Sequence, residues 1–483
     1  MAAFSPRKYL VVMYSDSIKH DVAFQQHLKR FIGPWARKRI RDWLSPFHAL
    51  VTGYMIVTSI GAFLLSLPVS TAAGSGQPFV DALFMATSGI STSGLAVVDV
   101  GKFYTLFGQI VLLLVFQIGG IGYMTFIMFF THAFGMKTSI NTQLIAVESL
   151  AGSEFRILGR FFITTMTFTF GFEAAGAIVL AIFWLGHYSF AHALYLGIFH
   201  SVSAFCTAGF GLFSDSLMKY RESVVMNATI NLVSLAGGLG FFVLYELYAA
   251  ATRIIRRKTR RRLSLHTKLV LIMTAVVVAG GTAVIYLSES WSASDTVPVQ
   301  FLASSFQAIS ASTTDGFNSV DIGRMGHTSL VALMLLMFVG ASPGSTGGGI
   351  KTTTLGVIML FLVAQLKGKQ DAINLMGREI PPGTILKAVG VFSWFIIVLL
   401  IDMLVMGSTE NAPFLPVIFE IVSALGNTGL SMGITAALSC TGKIMLIATM
   451  FIGRVGPLTM GYFIIGSREP LPYRLPEEDL FVG

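Results

Sequence analysis

The stretch FMATSGISTSGL at residues 84–95 recurs three times in altered form, as FHSVSAFCTAGF (199–210), FQAISASTTDGF (306–317) and FEIVSALGNTGL (419–430). Each copy has a phenylalanine, a serine after three further residues, a glycine after five more, and then leucine or phenylalanine. One such match would carry no weight in a chain with 40 phenylalanines and 49 glycines. Four matches in register, at nearly even intervals along the chain, indicate an internal repeat.

Long apolar stretches flank every copy of this repeat. A helix needs about 20 apolar residues to cross the hydrocarbon of a bilayer. Eight stretches of this kind are predicted to span the membrane: 50–69, 105–131, 158–186, 224–250, 268–288, 328–365, 384–407 and 440–466.

Four apolar segments between the spans are too short to cross: 79–90, 193–205, 300–311 and 414–424. Each contains the start of one copy of the repeat, and segments of this length are typical of re-entrant helices. The predicted fold class is therefore an all-α polytopic membrane protein. Its eight transmembrane helices and four re-entrant pore helices would form four span–pore–span repeats.

Composition agrees with a membrane protein. The chain is 54% hydrophobic and 12% charged, with a mean hydropathy of +0.74, whereas soluble domains carry about 25% charged residues. The formal charge of +9 would suggest nucleic-acid binding in a soluble protein. Here the positive residues fall between apolar stretches, which is typical of cytoplasmic loops, so no nucleic acid is expected as a partner.

The basic loops set the predicted topology. They alternate with loops that carry Glu289, Asp295 and Glu410, so both termini are predicted to lie in the cytoplasm of a multi-pass plasma (inner) membrane protein. No cleavable signal peptide is apparent in the first 20 residues. The predicted units are a cytoplasmic N-terminal segment (1–45), pore repeat 1 (46–131), pore repeat 2 (158–250), a basic cytoplasmic loop (251–267), pore repeat 3 with an intramembrane loop (268–365), pore repeat 4 (384–466) and a cytoplasmic tail (467–483).

Several kinds of chemistry have no support in the sequence. Cys206 and Cys440 are too few for a disulfide framework, so free thiols are predicted. The nine histidines show no zinc-ligand spacing. The run GSTGGGIK lacks the ending of a phosphate-binding loop and follows an apolar helix rather than a strand. With no catalytic triad or metal cluster, we expect neither an enzyme nor a covalent cofactor.

The glycine that closes each copy suits an ion filter. A filter turns backbone carbonyls inward to replace the hydration shell of an ion, and glycine adopts the unusual backbone angles that this requires. The helix before each glycine would direct its partially negative carboxyl end toward a cation. The plainer alternative is that Gly94, Gly209, Gly316 and Gly429 form tight turns in loops that conduct nothing.

A second set of glycines follows each filter segment, in QIGGIGY (117–123), LAGGLGF (235–241), GASPGSTGGG (340–349) and FIGRVG (451–456). Glycine can kink a helix or let neighbouring helices approach closely. The third run is too rich in Gly and Ser for a lipid-facing helix. We therefore expect it to be a loop within the long stretch 328–365, with Lys351 anchoring the cytoplasmic end of the loop.

In combination these motifs resemble the Ktr/Trk/HKT superfamily of potassium transporters over residues 45–466, and GRVGPLT (453–459) is most similar to the Ktr branch. The resemblance implies potassium uptake through a four-strand selectivity filter, with K⁺ as the only bound metal, and leaves open whether Na⁺ is required or carried. It implies filter residues Ser91, Thr92, Ser93, Gly94, Cys206, Thr207, Ala208, Gly209, Thr313, Thr314, Asp315, Gly316, Gly426, Asn427, Thr428 and Gly429. It implies a gate formed by Ala341, Ser342, Pro343, Gly344, Ser345, Thr346, Gly347, Gly348 and Gly349, together with Lys351 and Arg454.

The resemblance also implies partners. Within membrane lipid, two copies of the chain would form a homodimer, and a cytoplasmic ring of nucleotide-binding domains, encoded by a separate chain, would regulate it. This sequence departs from the family pattern at several filter positions, including Thr313, where arginine is frequent, and Asp315. Two roles are open for Asp315, as an acidic charge near the pore mouth or as a cap on a turn.

Charged residues in the apolar segments have alternative roles. Arg454 would face the pore as a barrier to cations, or form an ion pair with an acid of a neighbouring helix. For the acids within or near spans, structural pairing is favoured over proton coupling: Glu173, Glu246, Asp402 and Glu420. The acids that follow three filter glycines could concentrate cations or cap the next span: Asp99, Asp215 and Asp321.

A different class of function is a secondary cation symporter (Na⁺/K⁺ or H⁺/K⁺) that works by alternating access. Such proteins tend to have inverted repeats with broken helices at the midplane, whereas these four repeats run in the same direction, which favours a pore. A voltage-gated channel would need a span with regularly spaced arginines, and no predicted span has one.

Overall fold

The computed structural model describes residues 46–122, 158–256, 262–368, 373–456 and 460. The predicted N-terminal segment 1–45 and the tail 467–483 lie outside the described residues. The ends of the predicted spans 105–131 and 440–466 also lie outside them, as do residues 257–261 of the basic loop. The cytoplasmic location of both termini and the division into units therefore stay predictions.

Helices form most of the described chain. The first predicted repeat contains α1 (Pro46–Ser66), α2 (Phe79–Ile90), the single turn α3 (Val100–Phe103) and α4 (Leu106–Ile121). The second contains α5 (Leu158–Trp184), α6 (Phe190–Phe205), α7 (Val224–Leu239) and α8 (Phe241–Ile255). The third contains α9 (Leu265–Ser288), α10 (Val297–Thr313), α11 (His327–Phe338) and α12 (Thr352–Leu366). The fourth contains α13 (Pro382–Thr409), α14 (Phe414–Gly426) and α15 (Cys440–Val455).

A short helix lies at each of the four segments predicted to be re-entrant: α2, α6, α10 and α14. The repeated motif places its phenylalanine and serine four residues apart, on one helix face, and both positions are buried in all four helices. The buried phenylalanines are Phe84, Phe199, Phe306 and Phe419, and the buried serines are Ser88, Ser203, Ser310 and Ser423. The motif thus marks the inward face of each short helix.

Three helices in the described ranges are long and apolar enough to cross a membrane, at Ile163–Trp184, Leu265–Ser288 and Pro382–Thr409. A fourth is added if α7 and α8 count as one bent span. Large apolar side chains on these helices are exposed, such as Ile182, Leu287 and Leu404. This suits contact with lipid, because a bilayer solvates apolar side chains. The full set of eight spans stays a prediction.

The predicted continuous span 224–250 is wrong in shape. Helix α7 ends at Leu239, and α8 leaves it at an angle of 103°. The bend lies at Gly240, whose φ of 92° is strained for any residue with a side chain. The glycine run LAGGLGF therefore turns the chain rather than only thinning a straight helix.

The all-α prediction also missed a small hairpin between α12 and α13. Strand β1 (Ile373–Leu375) pairs antiparallel with β2 (Arg378–Ile380), and Leu375 lies opposite Arg378. The two-residue turn has positive φ at both Met376 (51°) and Gly377 (77°), as tight hairpins require. A Met-Gly pair at the turn is a weak signal for a hairpin, and the flanking residues Ile-Asn-Leu and Arg-Glu-Ile form no apolar run beside it.

Three of the four helices that follow the filter segments are capped by hydroxyl groups, whereas α11 begins after Gly326 with no side-chain cap. Thr105 begins α4, Ser223 begins α7 and Ser439 begins α15, each accepting a hydrogen bond from a backbone N–H in the first turn. Of the two roles left open for Asp99, Asp215 and Asp321, capping of the next span is therefore wrong. Asp99 instead caps the single turn α3, and Asp321 caps a 3₁₀ turn.

Candidate ion filter

The four predicted filter segments share one backbone conformation. Two residues before each glycine, the chain enters the left-handed region, with φ of 55° at Thr92, 52° at Thr207, 60° at Thr314 and 52° at Asn427. The glycines themselves also have positive φ, at 84°, 65°, 85° and 90° for Gly94, Gly209, Gly316 and Gly429. The sequence repeat is therefore a repeat of backbone geometry.

This conformation is a Schellman motif at the end of each short helix. In the first repeat, the N–H of Thr92 donates to the carbonyl of Gly89 (3.0 Å) and the N–H of Ser93 donates to the carbonyl of Ser88 (2.8 Å). The same pair of bonds recurs in the other three repeats, with lengths of 2.8 to 3.3 Å. In each repeat the serine of the motif supplies the carbonyl that accepts the second of these bonds. The filter glycine directly follows the residue that donates it.

The four glycines form a closed ring. A β-carbon built on Gly94 would meet Gly209, one on Gly209 would meet Gly316, one on Gly316 would meet Gly429, and one on Gly429 would meet Gly94. The nearest atom in each case is the carbonyl oxygen of the residue before the neighbouring glycine, for example Ala208 at 2.6 Å from a β-carbon on Gly94. Glycine alone leaves room for these four carbonyls around one axis.

A cavity of about 360 Å³ opens on one side of the ring. All four filter glycines line it, together with residues that follow them, such as Val97, Asn318 and Ser431. Asp99 also lines this cavity, and its carboxylate lies 3.8 Å from the ammonium of Lys102. We call this space the mouth cavity.

The loop 341–349, called here the Gly/Ser loop, packs against the opposite side of the ring. The carbonyl of Thr346 accepts from the hydroxyl of Thr92 (3.1 Å), and its own hydroxyl lies 3.2 Å from that of Thr207. The N–H of Gly348 donates to the hydroxyl of Thr314 (3.2 Å). A β-carbon on Gly348 would lie 2.6 Å from the side-chain amide of Asn427. One loop thus contacts the left-handed residue of all four segments.

The Gly/Ser loop is held from two other directions. Its backbone bonds to the α7–α8 bend, where the N–H groups of Ser342 and Thr346 donate to Gly238 (3.0 Å) and Gly237 (3.2 Å). The ammonium of Lys351 donates to the carbonyls of Gly347 (2.7 Å) and Gly348 (3.3 Å). Lys351 therefore does fasten the end of the loop that leads into α12.

Arg454 connects the loop to the first repeat. Its guanidinium donates to the carbonyl of Thr346 in the loop and to the carbonyl of Gly119 in α4. Within the described ranges, no carboxylate forms a salt bridge with it, so the ion-pair alternative has no support there. In the aligned glycine runs, Arg454 occupies the position of Gly120 and Gly238. The fourth repeat thus places a cation where the first two have no side chain.

Comparison with known proteins identifies the family. The model of the TrkH family, described as a cation transport protein, matches residues 34–465. The chain belongs to the TrkH family of cation transport proteins. Ktr system potassium uptake protein B of Bacillus subtilis is 35% identical over 456 residues, which cover 92% of this chain and 99% of that protein. Potassium/sodium uptake protein NtpJ of Enterococcus hirae is 32% identical over the same length, with the same coverage of both chains.

A solved structure agrees at the level of fold. The potassium transporter TrkH from Vibrio parahaemolyticus matches with a TM-score of 0.66 and 19% identity, over 86% of this chain and 83% of that one. The predicted resemblance to Ktr and Trk transporters is therefore confirmed. The TrkH family consists of integral membrane cation transporters for potassium uptake rather than enzymes.

The acids of this TrkH-family chain bond to neighbouring polar groups. Asp402 accepts from the hydroxyl of Thr449 (2.7 Å), and Glu420 accepts from those of Ser431 and Thr435. Glu246 accepts from Ser264 at the start of α9. These contacts agree with the structural role favoured from the sequence.

Glu173 lies behind the second filter segment. Its carboxylate accepts from the side-chain amide of Gln117 in α4 (2.8 Å), and the thiol of Cys206 lies 3.9 Å away. Cys206 is buried and Cys440 is exposed, and both are free thiols as predicted. Glu173 and Gln117 thus support a filter segment from outside the ring, which agrees with the structural role favoured for Glu173.

Asp315 has neither of the two roles considered for it from the sequence. Its side chain is only 1% exposed, so it offers no charge to the mouth cavity. Its carboxyl bonds to Ser234 of α7, outside its own turn, so it is not a turn cap. The other predicted filter, loop and cation residues do come together in one place, at the ring and the Gly/Ser loop.

Proposed function

We propose that this chain carries potassium into the cell through the ring of four filter glycines, driven by the membrane potential. The observation that carries the proposal is the closed ring itself, in which four carbonyl oxygens approach one axis between glycines that leave it open. Such a ring can replace the hydration shell of a cation. The short helices α2, α6, α10 and α14 end at the ring, where their partially negative ends favour a cation.

The Gly/Ser loop is proposed to be the gate. It closes the side of the ring opposite the mouth cavity, and it does so by hydrogen bonds rather than by a packed apolar core. Each such bond contributes about 1 kcal/mol, so breaking the contacts between the loop and the ring costs about 3 kcal/mol. The guanidinium of Arg454 adds a positive charge beneath the ring, which opposes cations until the loop moves.

In this proposal the mouth cavity faces outward, and the hairpin β1–β2 faces the cytoplasm. Eight spans and four re-entrant helices surround the ring, and both termini are cytoplasmic. Because one relative is a component of a system named Ktr, we include a regulatory cytoplasmic subunit that acts on the gate, and a dimer of the chain. Because another relative is named for potassium and sodium, Na⁺ is included as a coupling or co-transported ion.

The test is uptake of radioactive Rb⁺ into proteoliposomes that contain purified protein, with an imposed potential and no Na⁺ or pH gradient. Wild-type uptake should be inhibited by K⁺ at much lower concentration than by Na⁺. Gly316→Ser should abolish uptake or lower the preference for K⁺, because any β-carbon there meets the carbonyl of Thr428 and the neighbouring Gly209 and Gly429.

Gly390→Ser in α13 is the matched control, since a β-carbon at Gly390 meets no atom within 4 Å. It should leave uptake unchanged. If wild-type protein shows no uptake, either the gate is closed or the pore assignment is wrong. Removal of the loop 341–349 distinguishes these explanations, because it should increase uptake if the loop is the gate. If well-folded wild-type protein and the loop deletion both carry no cation at any potential, the pore proposal is wrong. Uptake that needs an ion gradient would support the symporter instead.

A further inference from the structure

Asp315 is the one filter residue with a carboxyl side chain, and it stands directly before a filter glycine. Its backbone belongs to the ring, because its carbonyl oxygen lies 2.6 Å from where a β-carbon of Gly209 would be. Its side chain points away from the ring into protein and is 1% exposed. Burying a carboxyl group is costly unless it forms hydrogen bonds or serves a function.

The carboxyl group is joined to a helix of the preceding repeat. Its Oδ2 lies 2.7 Å from the hydroxyl of Ser234 in α7, which also lies 2.7 Å from the carbonyl of Ile230. A hydroxyl has a single hydrogen, so either Ser234 donates to the carboxylate or a protonated carboxyl donates to Ser234. Both arrangements connect the third filter segment to α7. The other carboxyl oxygen, Oδ1, has no hydrogen-bond partner among the described residues.

This contact lies on a seam that recurs around the ring. The helix after each of the first two filter segments packs against the next segment, with Gly120 facing Cys206 and Gly238 facing Thr313. On the first seam, Gln117 of α4 approaches Cys206, with its Oε1 3.4 Å from the thiol. On the second seam, Ser234 of α7 holds Asp315.

The equivalent positions in the other segments lack such a bond. They are Ser93, Ala208 and Thr428. Alanine has no polar side-chain atom, and within the described chain the hydroxyls of Ser93 and Thr428 have no partner. A side-chain bond from the residue before the glycine to a neighbouring helix is therefore a property of the third segment.

We propose that Asp315 is a specificity-determining positioning residue. Through Ser234 it fixes how far the carbonyl of the third segment projects into the ring, and thereby how strongly the ring prefers K⁺ to Na⁺. A filter discriminates between ions by the number and placement of its carbonyls. The positions of these carbonyls are maintained by the contacts of the surrounding residues. This inference rests on the proposed function and assigns the selectivity of the same ring to a contact outside it.

The test measures the concentrations of K⁺ and Na⁺ that halve Rb⁺ uptake in proteoliposomes, and compares their ratio among variants. Asp315→Ala and Ser234→Ala should each lower the preference for K⁺ by about tenfold, the scale of one lost buried hydrogen bond. The double variant should lose no more than either single variant, because both remove the same contact. Asp315→Asn keeps an oxygen that accepts from Ser234 and should stay near the wild-type ratio.

Thr229→Ala is the matched control on α7, because its hydroxyl is exposed and bonds to the carbonyl of Val225 in its own helix (2.7 Å), and it should leave the ratio unchanged. Ser234→Ala removes a single oxygen atom, so it carries the test if Asp315→Ala does not reach the membrane. A wild-type ratio in Ser234→Ala would overturn the inference. A loss in Asp315→Asn without a loss in Ser234→Ala would also overturn it, because the charge and not the tether would then act. Absence of uptake by wild-type protein would instead refute the proposed function, and this inference with it.

Discussion

Thr346 is the residue at which the Gly/Ser loop and the ring meet. Its carbonyl accepts from Thr92 and Arg454, and its hydroxyl lies within 3.0 Å of the carbonyl of Phe205 and 3.2 Å of the hydroxyl of Thr207. The filter glycines could be found from the sequence because the same helix end is repeated four times. The family resemblance could place Thr346 in the gate but could not predict its contacts, since they reach residues up to 254 positions away and have no counterpart in the other repeats.

Thr346→Val should raise uptake in the absence of any cytoplasmic partner. The substitution keeps the shape of the side chain and removes the hydroxyl that bonds to Phe205, which weakens the closed loop by about 1 kcal/mol. The open fraction, and with it the rate of Rb⁺ uptake into proteoliposomes, should rise about fivefold if the loop is mostly closed. Thr353→Val in α12 is the control and should leave the rate unchanged. An unchanged rate in Thr346→Val would mean that the loop does not limit flux.

At the scale of the element, the bend between α7 and α8 determines where the Gly/Ser loop can sit. The N–H of Phe241 donates to the carbonyl of Gly344 (3.0 Å), immediately after the bend at Gly240. Hydropathy could place an apolar stretch here but not its direction, because both halves are apolar and only the backbone angle at Gly240 separates them. The hairpin β1–β2 was not predicted because its six paired residues are too few to show the alternation of apolar and polar residues that marks a strand.

Gly240→Ala should destabilise the protein and disturb the loop. Its φ of 92° is unfavourable for alanine, and a β-carbon would lie 2.6 Å from the carbonyl of Pro343. We expect a loss of about 2 kcal/mol, measured as a lower melting temperature in detergent. Gly280→Ala in α9 is the control, because nothing lies within 4 Å of its β-carbon and alanine favours a helix. A melting temperature that falls equally in both variants would contradict a special role for the bend.

At the scale of the whole molecule, the first and fourth repeats must meet to close the ring. Helix α15 packs against α2, and the ammonium of Lys443 lies 2.7 Å from the carboxylate of Asp81 at the start of α2. The sequence could predict that four repeats surround one axis, but not which side chains close the last seam. These two residues are 362 positions apart, and neither belongs to a motif.

Lys443→Ala should lower the melting temperature by about 1 °C. The pair is largely shielded from water, with 15% and 23% of the two side chains exposed, so it contributes about 1 kcal/mol. Exchange of the charges in Asp81→Lys with Lys443→Asp should restore part of the loss. Lys219→Ala is the control, since its side chain is 71% exposed and its partner Asp215 lies 3.9 Å away. Equal melting temperatures for wild type and Lys443→Ala would show that packing alone closes the seam.

The ring is built from four unlike copies within one chain, and this changes what a single substitution does. In a pore assembled from four identical subunits, every substitution is present four times around the axis. A substitution that one segment accommodates can therefore disrupt the pore when all four segments carry it. Here one quarter of the ring can vary while three quarters keep their contacts. A buried carboxyl behind only the third segment, and a guanidinium beneath only the fourth, are the kinds of asymmetry that such a chain can accumulate.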